Sequence, residues 1–277
     1  MSRGTEPIAI DVAIVNWNTA AAALAAARSY LASEGVRARV TIVDNDSAPA
    51  QRQLLEEGLP EGVALDLAAA NLGYGSAANR ALRGGEAELV CVSNADVVPE
   101  PGALAAMAAA ALAEPRAGMV GPSFAGETSR YHAALPTATT MAGRILAGSF
   151  RERAAAEPAL GEIAAVGQPS GACFLLRRET WERLGGFDEG FFLWYEDVDL
   201  AKRLHDGGYR NLIAGSARVG HAGARSFAQV DPRRQQSIRL DSVQRYVGKH
   251  HPRLARTLAP PLLALARRLR AGGTDGP

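Results

Sequence analysis

Cysteine is nearly absent from this 277-residue chain, with only Cys91 and Cys173, both set in apolar runs. Two are too few for a zinc site of the usual spacing, and buried free thiols in a reducing compartment are the expected reading. An excess of either charge is lacking as well. The formal net charge is +1, which argues against a general nucleic-acid binder. No apolar run approaches the roughly 20 residues that a membrane span requires. The opening MSRGTEP leads straight into a strand and has no signal-peptide pattern, so a cytoplasmic place is expected. No GxGxxG follows the first strand, no GxxxxGK[ST] occurs, and no serine stands in a GxSxG elbow. Those gaps remove a dinucleotide site, a P-loop and a hydrolase nucleophile.

What is present is ordinary globular material, 47% hydrophobic and 21% charged, enough for one large domain or two small ones. Apolar strands are expected at 8–18, 38–47, 63–69, 87–96 and 117–122. Helices rich in good formers lie between them at 19–33, 49–58, 73–85 and 100–114. Strands that are apolar on both faces and alternate with helices imply an α/β fold, with a Rossmann-like, mostly parallel central sheet covered by helices on each side. Ligands of such sheets bind beyond the carboxyl ends of the strands. Here those ends read NWN, DNDS, ANLGYG and SNAD, so four polar clusters belong on one rim. A turn would account for SNADVVPEP by itself, with Pro99 stopping the ladder. Four such clusters on one rim point to a site.

Residues 123–165 show no strong period and read as a variable region with one short helix. Order returns with a strand near 172–176, a helix at 179–184, an aromatic loop at 187–195 and a helix at 196–206 that ends at Gly207 and Gly208. A last strand region runs to His221. Glu196, Asp197 and Asp199 stand at the start of the 196–206 helix. Carboxylates there gain about 0.3–1 kcal/mol each from the helix dipole, which suffices for Glu196 and Asp199. It does not account for Phe191, Phe192, Trp194 and Tyr195 just before them. A carboxylate behind an aromatic cluster suits a general base beside a stacked sugar ring, and Asp197 is the candidate. His221, between glycines at a strand end, is of a type more often structural than ligating. Asp96 on the same rim makes the pair a workable set for Mg²⁺ or Mn²⁺.

The ordered set VAIVNWN, IVDNDS, NLGYGSAANRAL, SNADVVPEP, SGACFLLRRETWERLGGFDEGFFLWYEDVDLAKRLHDGGY and GHAGARSF resembles the family-two inverting glycosyltransferases of the GT-A fold, and most of all their rhamnosyltransferase-like branch. The resemblance covers about residues 8–250. It implies a nucleoside-diphosphate sugar, thymidine-diphosphate rhamnose by subfamily likeness, held over the strand ends. Asn16 and Asp44 match nucleotide contacts, with Asp44 at the base. Asn71, Gly73 and Asn79 match the loop beside nucleotide and sugar. Asn94 and Asp96 fill the place of the DxD motif. Asp96 would bind a divalent cation bridging the phosphates, and His221 matches a second metal position. With Asn94 for the first Asp, one negative charge is missing, so the ion would bind weakly without donor phosphates. Asp197 matches the catalytic base, while Gly171, Trp194, Tyr195 and Glu196 are expected around the acceptor. The acceptor itself, whether glycan, lipid-linked sugar or small molecule, is left open. The rival from another class is a non-catalytic nucleotide-sugar or carbohydrate-binding module, which would keep the pocket and lose the base.

The expected organisation is a GT-A domain over 1–230, its nucleotide-sugar half about 1–122 and its acceptor half 123–230, followed by a basic helical extension at 231–277. Within that extension, 258–270 pairs a leucine stripe with arginines. Either it packs on the domain with a solvated basic face, or it touches an anionic membrane at the inner face of the plasma membrane.

Overall fold

The computed structural model describes residues 6–124, 132–147, 157–221 and 230–257, with 260, 261, 264 and 267 beyond them. The first half is four strands, β1 (Ile8–Asn16), β2 (Val36–Asp44), β3 (Ala64–Leu67) and β4 (Leu89–Asn94). They lie side by side and parallel in the order β3-β2-β1-β4. The register is level at the carboxyl ends, with Asn16 opposite Asp44 and Val15 opposite Asn94. Level ends turn the polar strand termini into one continuous rim.

The helices between these strands are α1 (Ala20–Leu31), α2 (Pro49–Gly58) and α3 (Tyr74–Leu82). Helix α1 buries Ala20, Ala23, Leu24, Ala27 and Tyr30, a helical repeat that lays one stripe on the sheet. Strand β1 shows why the sheet needs two covers. Ile10, Val12 and Ile14 pack with α1 and with Leu104 and Met107 of α4 (Ala103–Ala113). Ala13 and Val15 on the alternate face pack with Ala77, Ala78 and Leu82 of α3.

The second half completes the sheet with β5 (Val97–Pro99), β6 (Ala117–Phe124), β7 (Ile163–Val166), β8 (Cys173–Arg177) and β9 (Arg210–His221). The nine strands run β3-β2-β1-β4-β8-β6-β9-β5, with β7 beside β9. Strands β6 and β9 share the direction of β1–β4, while β5, β7 and β8 are reversed, so six of the nine run together. The sheet is mostly parallel, as expected from the sequence. The reversed β8 is as buried on both faces as its parallel neighbours, so hydrophobicity could not reveal its direction.

The reading of SNADVVPEP is corrected too. Strand β4 ends at Asn94, Ala95 and Asp96 turn, and the chain restarts as β5 at the far edge beside β9. Pro99 does not stop the ladder; it sits in β5, an edge strand, where a missing N–H is tolerated. The jump matters because β5 pairs Val97 with His221, which brings the main chain of His221 beside the Asp96 turn.

The remaining helices are α5 (Ala138–Ala147), α6 (Arg178–Arg183), α7 (Glu196–Asp206), α8 (Pro232–His250) and α9 (Pro252–Thr257). Helix α8 is bound into the body. Leu240, Val243, Tyr246 and Val247 share a buried cluster with Phe191, Tyr195, Val198 and Met141. Of the 258–270 stripe, most lies outside the described residues; Arg267 pairs with Asp241 of α8.

Candidate active site

A cavity of about 670 Å³ opens over the rim, a size that suits a ligand larger than a monosaccharide. Its wall includes Asn71, Gly73, Asn94 and Asp96 from the strand ends and the loop before α3, and Gly171, Trp194, Glu196 and Asp197 from the second half. Eight of the residues expected from sequence thus meet in one space.

Asn16, Asp44, Asn79 and Tyr195 are not among the residues that line it. Asn16 and Asp44 are 0% exposed and bonded to each other, Asn16 Nδ2 donating to Asp44 Oδ1 at 2.9 Å. The second Asp44 oxygen accepts from Arg52 Nε at 2.9 Å and from the Ser47 amide at 3.1 Å. Their polar atoms are engaged in holding the first two strand ends together. The next residues along, Trp17 and Asn45, line the cavity instead. Asn45 donates to Asn71 Oδ1 and the Gly73 carbonyl, both at 3.1 Å, and accepts from the Leu72 amide at 2.8 Å. It locks the loop before α3 to the end of β2. Asn79 braces the aromatic loop, donating to the Phe187 carbonyl and accepting from the Phe187 amide, each at 2.9 Å. Tyr195 is buried, with its ring 5.3 Å from that of Tyr246. Of His221 only the main chain is described, and that lies beside the Asp96 turn.

Two glycines bring the walls close. Gly73 has φ 82°, and a Cβ there would run into the Phe192 carbonyl oxygen. That same oxygen accepts from the Tyr74 amide at 2.9 Å, so α3 begins directly against the aromatic loop. Gly171 lies flat against Asp197, with no room for a side chain between them.

The aromatic loop enters α7 through Trp194 and Tyr195, both left-handed at φ 63° and 68°. Such a backbone costs about 1–3 kcal/mol per residue and persists only when its surroundings hold it. Helix α8 does the holding. Ser242 Oγ donates to the Leu193 carbonyl at 2.7 Å, Arg239 lies 4.4 Å over the Trp194 ring, and Tyr246 packs on Tyr195. Behind the loop, Asp199 is 0% exposed and takes Arg203 at 2.7 Å, Lys249 at 2.8 Å and His250 at 2.7 Å. Asp188 takes Arg245 and Lys249. Burial would raise both carboxyls, but these cations outweigh it and hold them below the ordinary range.

Glu196 behaves in the opposite way. It is 6% exposed, and its Oε2 has no hydrogen-bond partner among the described residues. Burial, and then the charge of Asp197, push its carboxyl well above the usual value. The pair therefore holds one charge more readily than two. A carboxylate base on a helix start, next to a neutral carboxyl and an aromatic loop, can accept a proton from a hydroxyl in the cavity.

Residues before and after the expected boundary at 230 line this same cavity, since Asp231, Arg234, Gln235 and Ile238 form its remaining side. They were missed because the basic run hides a helical repeat, in which 231, 234, 235 and 238 fall on one face.

Among the described residues no three His, Cys, Asp or Glu form a cage. A Mg²⁺ or Mn²⁺ that takes one or two protein oxygens and draws the rest from a diphosphate and water suits this donor set, with Asp96 in the wall.

A mostly parallel sheet whose strand ends and ED helix start converge on one cavity is the architecture of a GT-A glycosyltransferase. Residues 7–238 match the family described as glycosyltransferase like family 2, and the chain belongs to that family. It is 33% identical over 232 residues to an N-acetylglucosaminyl-diphospho-decaprenol L-rhamnosyltransferase of Mycobacterium tuberculosis, covering 76% of this chain and 75% of that one. Among solved structures it resembles GalNAc-T7 with UDP, GalNAc and Mn²⁺, at TM-score 0.61 and 17% identity over 78% of this chain. It spans only 44% of that larger protein. It also resembles the mannosyltransferase PcManGT of Pyrobaculum calidifontis with GDP-Man and Mn²⁺, at TM-score 0.55 and 18% identity over 97% of this chain and 76% of that one. At such identities these two support the fold alone.

Proposed function

We propose that this glycosyltransferase moves a deoxyhexose, L-rhamnose from thymidine-diphosphate rhamnose, onto a hydroxyl of a sugar carried on a diphospholipid, with inversion. The observation that carries the reading is the convergence of Asp96 and Asp197 on one cavity over level strand ends. The mycobacterial relative supports the choice of sugar and acceptor class. Asn71, Gly73 and Asn94 would border the donor, next to Trp17 and Asn45. Trp194 and Gly171 would border the acceptor.

Asp197 takes the proton of the acceptor hydroxyl as that oxygen bonds to the anomeric carbon. The bond from that carbon to the diphosphate breaks, its electron pair leaves with the diphosphate, and the configuration inverts. Gly171 and the helix start hold the carboxylate in place, and the neutral Glu196 keeps a second charge away from it. A divalent ion held by Asp96, with His221 as the further expected ligand, would offset the charge on the departing diphosphate.

A lipid-linked acceptor would bring the protein to the inner face of the plasma membrane. No helix among the described residues is long and apolar enough to cross one. A panel of nucleoside-diphosphate sugars, scored for released nucleoside diphosphate with and without N-acetylglucosaminyl-diphospho-prenol, tests the reading. Acceptor-dependent release from thymidine-diphosphate rhamnose alone is expected, with an α-rhamnosyl product from the β-linked donor. A β product would remove Asp197 from its role as base in a single displacement.

A further inference from the structure

We propose that Arg234, with Ile238 one turn further along α8, forms a subsite for an acceptor that carries a phosphate followed by an apolar chain. The inference rests on the glycosyl-transfer reading above and specifies which part of the acceptor this chain recognises.

Among the described residues of the cavity wall, Arg234 is the sole cation, and the acidic residues Asp96, Glu196, Asp197 and Asp231 share that wall. Asp231 is engaged as the cap of α8, its carboxylate accepting from the amides of Arg233 at 2.8 Å and Arg234 at 3.1 Å. Three other cations of α8 have partners in the fold. Arg239 lies on Trp194, while Arg245 and Lys249 pair with Asp188. Among the described residues the Arg234 guanidinium joins no ion pair, and it is exposed to the cavity. A guanidinium binds phosphate through two parallel hydrogen bonds, which an ammonium cannot reproduce.

The position is also held. Ser242 and Tyr246 fasten α8 to the aromatic loop, and Lys249 and His250 fasten it to Asp199. Arg234 and Ile238 are four residues apart and line the same wall, so cation and apolar surface follow one another along one face. Leu193 and Phe192, the latter 37% exposed, extend the apolar side. Charge followed by apolar surface is the order a glycosyl phospholipid presents outward from its sugar.

The test compares wild type, Arg234→Gln and Arg234→Lys with two acceptors, N-acetylglucosaminyl-diphospho-prenol of short chain and a neutral alkyl N-acetylglucosaminide. A second arm follows farnesyl diphosphate binding by the fluorescence of Trp17 and Trp194, with farnesol as the uncharged control. The Gln variant is expected to lower the preference in kcat/KM for the diphospho acceptor about tenfold or more. It is expected to weaken farnesyl diphosphate to the same extent, with Lys restoring part of each. Equal losses on both acceptors would overturn the proposal, as would a rise confined to the donor KM, which would assign Arg234 to the donor diphosphate. Unchanged farnesyl diphosphate affinity would overturn it as well. If wild type transfers to neither acceptor, the functional reading fails, while the binding arm, which needs no turnover, still decides the role of Arg234.

Discussion

Replacing Gly171 with Ala adds one methyl group beside the proposed base. An ideal Cβ at that position stands 2.8 Å from both Cβ and Cγ of Asp197. Carbon atoms at ease sit about 3.5–4.0 Å apart, so the shortfall is roughly 1 Å. The backbone cannot easily absorb it. Tyr74 Oη donates to the Gly171 carbonyl at 3.0 Å, and the neighbouring Ala172 carbonyl accepts from the Asn94 amide at 2.8 Å. Helix α7 is anchored as well, with Leu200 and Leu204 fully buried. The Asp197 side chain must therefore swing away. A displacement of about 1 Å in a reacting group costs on the order of 10²-fold, which corresponds to about 2.7 kcal/mol in the barrier. The assay is nucleoside-diphosphate release at saturating acceptor, with donor KM and thermal melting measured alongside. The expected result is a loss confined to kcat, with donor KM within about twofold. Gly102→Ala, where a Cβ meets nothing within 4 Å, serves as the control. Turnover of Gly171→Ala within twofold of wild type would refute the placement of the base.

Glu196→Gln should cost far less activity than loss of Asp197, because the residue it replaces already holds its proton. Folding raises this carboxyl above its unfolded value of about 4.3. Its contribution to stability is present below that value and is lost as pH rises through the folded one, so Gln should flatten the alkaline decline; parallel melting curves across pH check this. Asp199→Ala should destabilise by about 3–5 kcal/mol in chemical denaturation, since it removes the buried carboxylate that Arg203, Lys249 and His250 share. Asp188 and Asp199 titrate below their unfolded values, so the α8 clamp contributes fully above about pH 4 and should loosen as pH falls further; tyrosine and tryptophan fluorescence during acid titration follows it. Asp96→Ala should weaken nucleoside diphosphate and Mn²⁺ together in calorimetric titration. An unchanged metal dependence would make Asp96 a turn residue only.

Much of this was legible because parallel strands and their helices are local patterns. Apolar runs, glycine and proline punctuation, and polar strand ends placed the first four strands and the rim within a few residues. The direction of β8 was not legible, since a strand buried on both faces carries no mark of orientation. The jump from β4 to β5 was hidden inside three residues of an edge strand. At the site, residue type identified Asp96, Asn71 and Asp197 as rim groups. It could not distinguish Asn16 and Asp44, which face each other, from Trp17 and Asn45, which face the cavity. A strand end alternates its side chains, and a one-residue difference decides which of them reaches the ligand. Helix α8 was the larger loss. Its arginines read as a charged tail, whereas Arg239, Arg245 and Lys249 are tied to the aromatic loop and its flank.

The most direct test is Asp197→Asn, which keeps the volume of the side chain and removes the proton acceptor. Transfer from thymidine-diphosphate rhamnose to the diphospho-linked acceptor should be followed in single turnover, with donor affinity measured on the same preparation. Transfer is expected to fall by about 10²–10⁴-fold, with donor binding within twofold of wild type. Transfer near the wild-type rate would contradict the assignment of Asp197 as the base, and with it the mechanism proposed for this cavity.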